Sequence, residues 1–219
     1  MNPFFKIFGI NDSFAAFDEK VKTLSWSSGC KWLMSSLKVN YMFEGTKMPK
    51  RGPGIIYSNH PTGLDPYLLT AAIGRDDSYF WGDIYQSKKG KNINKFIIPI
   101  APKPIWTIWR RPLTNWPGYI YMRLTTPALS KERTGGVNRK SIEKTIELLK
   151  KNNQVIIFPS GGEYEFLEYG NGLSIILEKC RKLEIPVKLT KLRIKNFGEL
   201  GLFFHFIFGT KIMVKIVNP

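Results

Sequence analysis

The chain is poor in the residues from which many active centres are built. Its 219 residues include two cysteines, Cys30 and Cys180, and two histidines, His60 and His205. Two thiols exclude a disulfide framework and a cysteine-based zinc site, and two imidazoles exclude a histidine-rich metal centre. Cys180 falls on an apolar helical stripe, where a buried thiol is expected. Long apolar runs are also lacking. The longest stretch without a charged residue, 52–64, has thirteen residues and is rich in Gly, Pro, Ser, Asn and Thr. A spanning helix needs about 20 predominantly apolar residues. The N-terminal MNPFFKIFGIND has no basic start, apolar run or small-residue cleavage site of a secretory signal. These features predict a cytoplasmic protein that lies on a membrane surface without crossing it.

Acidic residues are scarce. Seventeen Asp and Glu face 33 Lys and Arg, a formal net charge of +16. Such a surface attracts polyanions: nucleic acid, an anionic membrane or a phosphorylated substrate. Hydrophobic residues make up 43% of the chain and aromatics 14%, the composition of a folded globular protein with room for one sizeable α/β domain.

Residues 1–45 read as a two-faced helical segment. Phe14, Phe17, Val21 and Leu24 recur at helical spacing, followed by Trp26, Cys30, Leu33 and Leu37, with Lys20, Lys22, Lys31 and Lys38 interspersed. Such a segment serves either as a basic interfacial anchor or as a helix packed on the domain. From residue 46 to 219 strand and helix signals alternate. Short strands are expected at 54–58, 78–81, 96–100, 155–158 and 186–194. Helices are expected from Asp65, from Ser141 and from Leu173, with Asp65 as N-cap and Pro66 in the first turn. The last two strand signals, 203–208 and 211–217, read as a hairpin turning at Gly209-Thr210. Six prolines between Pro99 and Pro127 predict an irregular excursion. The fold class is therefore α/β, a mostly parallel or mixed central sheet flanked by helices.

His205 alternates with aromatics on a late strand signal and reads as structural. His60 stands where a strand ends and a helix is about to begin, in Asn59-His60-Pro61-Thr62-Gly63-Leu64-Asp65. Pro61 biases His60 toward extended backbone, and Gly63 permits a sharp bend. The chain can then fold back and bring the Asp65 carboxylate to one ring nitrogen, leaving the other to take a proton. The same residues also allow Asp65 to act only as a helix cap.

Asn59-His60, four residues, then Asp65-Pro66 resembles the NHxxxxD motif of glycerolipid acyltransferases, the lysophosphatidate/glycerol-3-phosphate acyltransferase family. Val155-Ile156-Ile157-Phe158-Pro159-Ser160-Gly161-Gly162 is similar to that family's strand followed by FPEG. The stretch 172–187, a helix then Ile185-Pro186-Val187, resembles its helix and (V/I)P(V/I) strand. Phe208-Gly209-Thr210-Lys211-Ile212 resembles its late turn. The likeness runs from about Gly54 to the C-terminus. It departs at Ser160, which stands where the family has Glu, so the carboxylate role in acceptor binding is lost or passes to Glu163. The family's GxxxxR-like block has no clean match; Arg139, after Gly135-Gly136, is the first candidate for the cation that holds an acceptor phosphate, with Arg133, Arg110 and Lys103 in reserve.

The resemblance implies transfer of a fatty acyl group from acyl-CoA or acyl carrier protein to a hydroxyl of a lysolipid or glycerol-phosphate-type acceptor, with no cofactor or metal. His60 is the implied base and Asp65 its orienter. Asn59, Arg139, Phe158, Pro159, Ser160, Gly161, Gly162 and Glu163 are the implied substrate-binding residues. Backbone N–H groups at Ser160, Gly161 and Gly162 suit either an oxyanion or a phosphate. The lysines of Lys88-Lys89-Gly90-Lys91 and Lys95 form a candidate docking strip for the donor or for an anionic membrane surface, on its inner face. Two other classes compete: a non-catalytic lipid-binding protein at the membrane surface, for which Ser160 speaks, and a basic nucleic-acid-binding protein. No RNP-like strand, zinc-finger spacing or basic helix run supports the latter, so no nucleic-acid partner is expected. A serine hydrolase would need a Gly-x-Ser-x-Gly elbow, and Phe158 stands where its first glycine belongs.

Overall fold

The structure is a computed structural model, and it describes residues 10–45, 48–60, 63–83, 90–100, 131–159, 171–196 and 211–217. A mixed sheet of seven strands forms the middle layer: β1 (Tyr41–Glu44), β2 (Gly54–Ser58), β3 (Ser78–Asp83), β4 (Ile97–Ile100), β5 (Gln154–Ile157), β6 (Lys188–Lys195) and β7 (Ile212–Val217). Their order across the sheet is β1-β7-β6-β2-β5-β3-β4. The five strands from β6 to β4 are mutually parallel, and β7 and β1 run against them at one edge.

Among the described residues, five α-helices cover the two faces. On one side lie α1 (Ile10–Lys20), α2 (Trp26–Ser36) and α3 (Asp65–Ile73); on the other lie α4 (Lys131–Lys150) and α5 (Gly172–Lys182). The strand alternation divides the core accordingly. Ile56 of β2 and Ile156 of β5 join α1–α3, whereas Ile55, Tyr57, Val155 and Ile157 join α4 and α5. Every residue of β2 and β5 is buried, because strands sandwiched between helices present apolar side chains on both faces. That is why Ile55-Ile56-Tyr57 and Val155-Ile156-Ile157 read as unbroken apolar runs.

The N-terminal helices are a layer of this domain. Phe17, Trp26, Cys30, Leu33 and Met34 are all buried in one cluster with Tyr67, Leu68 and Phe80. Trp26 stacks on Phe96 with ring centroids 4.1 Å apart, and Asp18 accepts from the backbone N–H groups of Asn92 and Ile93, both at 3.0 Å. Most of the apolar stripe read from the sequence packs into the core, the second of the two readings open for this segment; β1, unannounced in the sequence reading, also lies within residues 1–45. The lysines of the stripe, Lys20, Lys22, Lys31 and Lys38, remain exposed. Asp76, in the turn after α3, accepts from the N–H and hydroxyl of Ser27 at the start of α2. Partial burial pushes its carboxyl up, but these hydrogen bonds outweigh it and hold it below the usual carboxylate range.

Two boundaries differ from the sequence expectation. Helix α4 begins at Lys131, ten residues before Ser141, and runs through Gly135-Gly136. The second strand of the expected terminal hairpin is β7, which pairs with β6 and with β1; residues 203–208 lie outside the described residues, as do 101–130 of the proline-rich stretch.

Candidate active site

Parallel pairing sets the site. Tyr57 of β2 lies opposite Ile157 of β5, so the two chain segments that leave the sheet there, Ser58-Asn59-His60 and Phe158-Pro159, emerge side by side. Loops at the carboxyl ends of parallel strands are where α/β folds display polar groups. Helix α3 begins at that same edge, because it carries the chain from β2 back toward the start of β3.

The histidine and the carboxylate meet there. His60 Nδ1 lies 2.6 Å from Asp65 Oδ2; the Asp65 side chain is 0% exposed and that of His60 28%. An ionised carboxylate can only accept, so Nδ1 carries the proton and donates it, and the lone pair of Nε2 is left for an incoming group. The helix cap corrects one expectation: the N-cap residue is Leu64 and no side chain caps this helix end. The carboxylate is directed to the imidazole, and the helix relies on Pro66 in its first turn, where a missing N–H costs nothing.

The Phe158 ring lies on the face of the His60 ring, centroids 4.4 Å apart and planes 25° apart. Asn59 is directed elsewhere. Its amide donates to the carbonyl of Ile194 at 2.9 Å and accepts from the N–H of Ile194 at 2.8 Å. Both ends of the side chain are thereby bound to β6, and the residue is buried. The arrangement makes Asn59 a fastener between the His60 loop and the next strand.

Arg139 is exposed and sits within α4, eight residues from its start. The expectation that it precedes a helix N-terminus is therefore corrected: the two glycines before it are helical. Ser141, one half-turn on, donates to the carbonyl of Pro99 near the end of β4, which puts Arg139 at the carboxyl edge of the sheet. β4 is three strands from β2, a lateral separation of roughly 14 Å at about 4.8 Å per strand. Pro159 follows Phe158 at the edge beside His60. Ser160, Gly161, Gly162, Glu163, Lys103, Arg110, Lys88, Lys89 and His205 lie outside the described residues, as does the side chain of Arg133; Lys91 and Lys95 of the basic strip are exposed.

The cysteines take no part in this edge. Cys30 is buried among α1–α3, and burial first, then the nearby Asp76 charge, pushes its thiol well up. Cys180 is buried under α5 and is also raised by burial. Neither is set up as a thiolate nucleophile. A cavity of about 170 Å³ lined by Arg51, Gly54, Arg75, Gln154 and Lys188 lies at the opposite, amino edge of the sheet. Arg75 there is committed to Asp77 and to the carbonyls of Gly52 and Asn152. Among the described residues no group of three or more His, Cys, Asp or Glu could hold a metal ion.

A helix-flanked mixed sheet with a carboxylate-bound histidine at the carboxyl edge of its parallel strands is an arrangement that many α/β proteins share. The chain's family is narrower than that. The family model Acyltransferase matches residues 40–187, more than half of the chain, and the chain belongs to that family. Among solved structures it is similar to the 1-acyl-sn-glycerophosphate (LPA) acyltransferase PlsC from Thermotoga maritima, at 16% identity and a TM-score of 0.46, over 99% of this chain and 81% of that one. A comparison with curated proteins gives no match.

Proposed function

We propose that the protein transfers a fatty acyl group from acyl-CoA or an acyl carrier protein to a hydroxyl of a lysophospholipid or glycerol-phosphate-type acceptor, with His60 as general base. The observation that carries this reading is the 2.6 Å contact of His60 Nδ1 with the fully buried Asp65. An alcohol ionises far above neutral pH and is a poor nucleophile, so its proton must leave as it attacks the thioester carbonyl. Nε2 of His60 takes that proton, and the buried carboxylate stabilises the imidazolium that forms. The oxygen–carbonyl bond forms, the tetrahedral intermediate collapses, the thiolate leaves, and the imidazolium returns a proton to it. No enzyme nucleophile is required, in keeping with two buried thiols.

The substrate contacts proposed for Pro159, Ser160, Gly161, Gly162 and Glu163 rest on the motif resemblance, and that of Arg139 on its charge and its place at the carboxyl edge. With an arginine side chain reaching back from α4, an anionic acceptor headgroup would bridge Arg139 and His60. The net charge of +16 supports an anionic membrane surface as the place of work and an acidic or phosphorylated donor. No helix among the described residues is long and apolar enough to cross a membrane, which is compatible with peripheral attachment to the inner membrane face. The carboxylate–histidine pair favours this enzyme reading over a lipid-binding protein without catalysis and over a nucleic-acid-binding protein.

The test is incubation of the purified protein with a labelled acyl donor and a panel of lysolipids and glycerol phosphates. Acylated acceptor is the expected product, and intact-protein mass spectrometry with donor alone should show no acyl adduct. A stable adduct on Ser160 or on either cysteine would replace direct attack by a two-step route.

A further inference from the structure

We infer that Phe158 is a positioning residue for the general base: its ring holds the His60 imidazole in the plane from which Nε2 meets the acceptor hydroxyl. The inference deepens the reading above and rests on it. It starts from a geometric shortfall. The bond from Nδ1 to Asp65 limits rotation of the imidazole about Cβ–Cγ, but coupled changes of χ1 and χ2 can keep that bond and still swivel the ring. Such a swivel sweeps Nε2 and its lone pair away from the acceptor. Asn59 fastens the backbone that precedes the ring, with both ends of its side chain bonded to Ile194. The face contact with Phe158, centroids 4.4 Å apart and planes 25° apart, is what opposes the swivel.

Phe158 is suited to this because it is itself held. It follows β5, whose four residues are all buried, and its ring packs against the α1–α3 core. Its other covalent neighbour is Pro159, whose ring fixes one backbone dihedral. The packing transmits a rigid position from the centre of the sheet to the imidazole. An aromatic face also tolerates the positive charge that His60 acquires in the reaction, through the ring quadrupole. A base held in line matters to the rate because misplacement by about 1 Å can cost up to about 10²-fold.

The experiment compares Phe158→Leu and Phe158→Tyr in the full chain, alone and combined with His60→Ala. The first readout needs no substrate. With only two histidines in the chain, the ring-proton resonances of His60 are assigned by His205→Gln. Stacking on Phe158 shifts them upfield, and Phe158→Leu should move them back downfield while Phe158→Tyr leaves them in place. The second readout is kinetic. Phe158→Leu should lower kcat by about tenfold or more, the scale of a displaced catalytic group, with KM for donor and acceptor changed less than about twofold and with Phe158→Tyr restoring the rate. In the His60→Ala background, Phe158→Leu should cost nothing further, because a residue that acts through His60 has nothing left to position. Unmoved His60 resonances in Phe158→Leu would disprove the stack. A rise in KM with kcat kept, or an undiminished loss in the His60→Ala background, would make Phe158 a substrate contact and overturn the inference. Full activity of His60→Ala alone would instead overturn the proposed function.

Discussion

At the residue scale, four side chains meet at the candidate site, His60, Asp65, Phe158 and Asn59, and only the first pair was legible in the sequence. The spacing of His60 and Asp65, with Pro61 and Gly63 between them, allowed the fold-back that the structure contains. It did not decide between orienting the imidazole and capping the helix; the answer came from Leu64 standing at the N-cap. Phe158 and Asn59 were noticed as motif letters, but their partners were not legible. Stacking of Phe158 on His60 requires β5 to lie beside β2, and the bond from Asn59 reaches Ile194, 135 residues further along the chain. Asn59 provides a direct prediction. Asn59→Ala leaves the N–H and carbonyl of Ile194 without partners in a buried place, at about 1–3 kcal/mol for each unsatisfied group. Denaturant unfolding should show a loss of about 2–4 kcal/mol. An unchanged stability with a raised KM for the acceptor would return Asn59 to substrate binding.

At the scale of elements, the central strands were legible and the boundaries around glycine were not. β2 and β5 are buried on both faces, so burial wrote itself into the sequence as apolar runs. The start of α4 was hidden by Gly135-Gly136, since helical glycine costs about 1 kcal/mol relative to alanine and reads as a break. Packing of Ile146 and Leu149 against the sheet, with Ser141 bonded to Pro99 and Thr145 to Trp81, holds the helix far enough to override that cost. β1 escaped because four residues, Tyr41–Glu44, carry too short a pattern. Gly136 has no positive φ and open space where a Cβ would stand. Gly136→Ala should therefore stabilise the protein by about 0.5–1 kcal/mol, which raises Tm by roughly 1–4 °C in a chain of this size. A lowered Tm would mean that the segment is not helical.

At the scale of the whole molecule, the N-terminal helices turn a sequence ambiguity into a finding about stability. Phe17, Trp26, Cys30, Leu33 and Met34 are buried in the core shared with α3 and the sheet. Burial is worth about 1.5–3 kcal/mol for each large side chain, so their sum is on the order of 10 kcal/mol, comparable with the entire stability of a domain. A chain lacking the first 40 residues should fail to unfold cooperatively, as calorimetry would show; a cooperative, soluble truncated protein would make this layer dispensable. The membrane attachment proposed above would then rest on exposed charge, Lys20, Lys22, Lys31, Lys91 and Lys95 among it. The full chain should sediment with anionic vesicles, bind neutral ones poorly and be released by salt, since each basic residue adds about 1 kcal/mol that screening removes. Salt-resistant binding to neutral vesicles would instead require an inserted apolar surface. If His60, held by Asp65, is the base of an acyl transfer, folded His60→Ala should transfer acyl groups at least about 10²-fold more slowly, with its unfolding transition preserved; turnover near that of the unaltered protein would remove His60 from the chemistry.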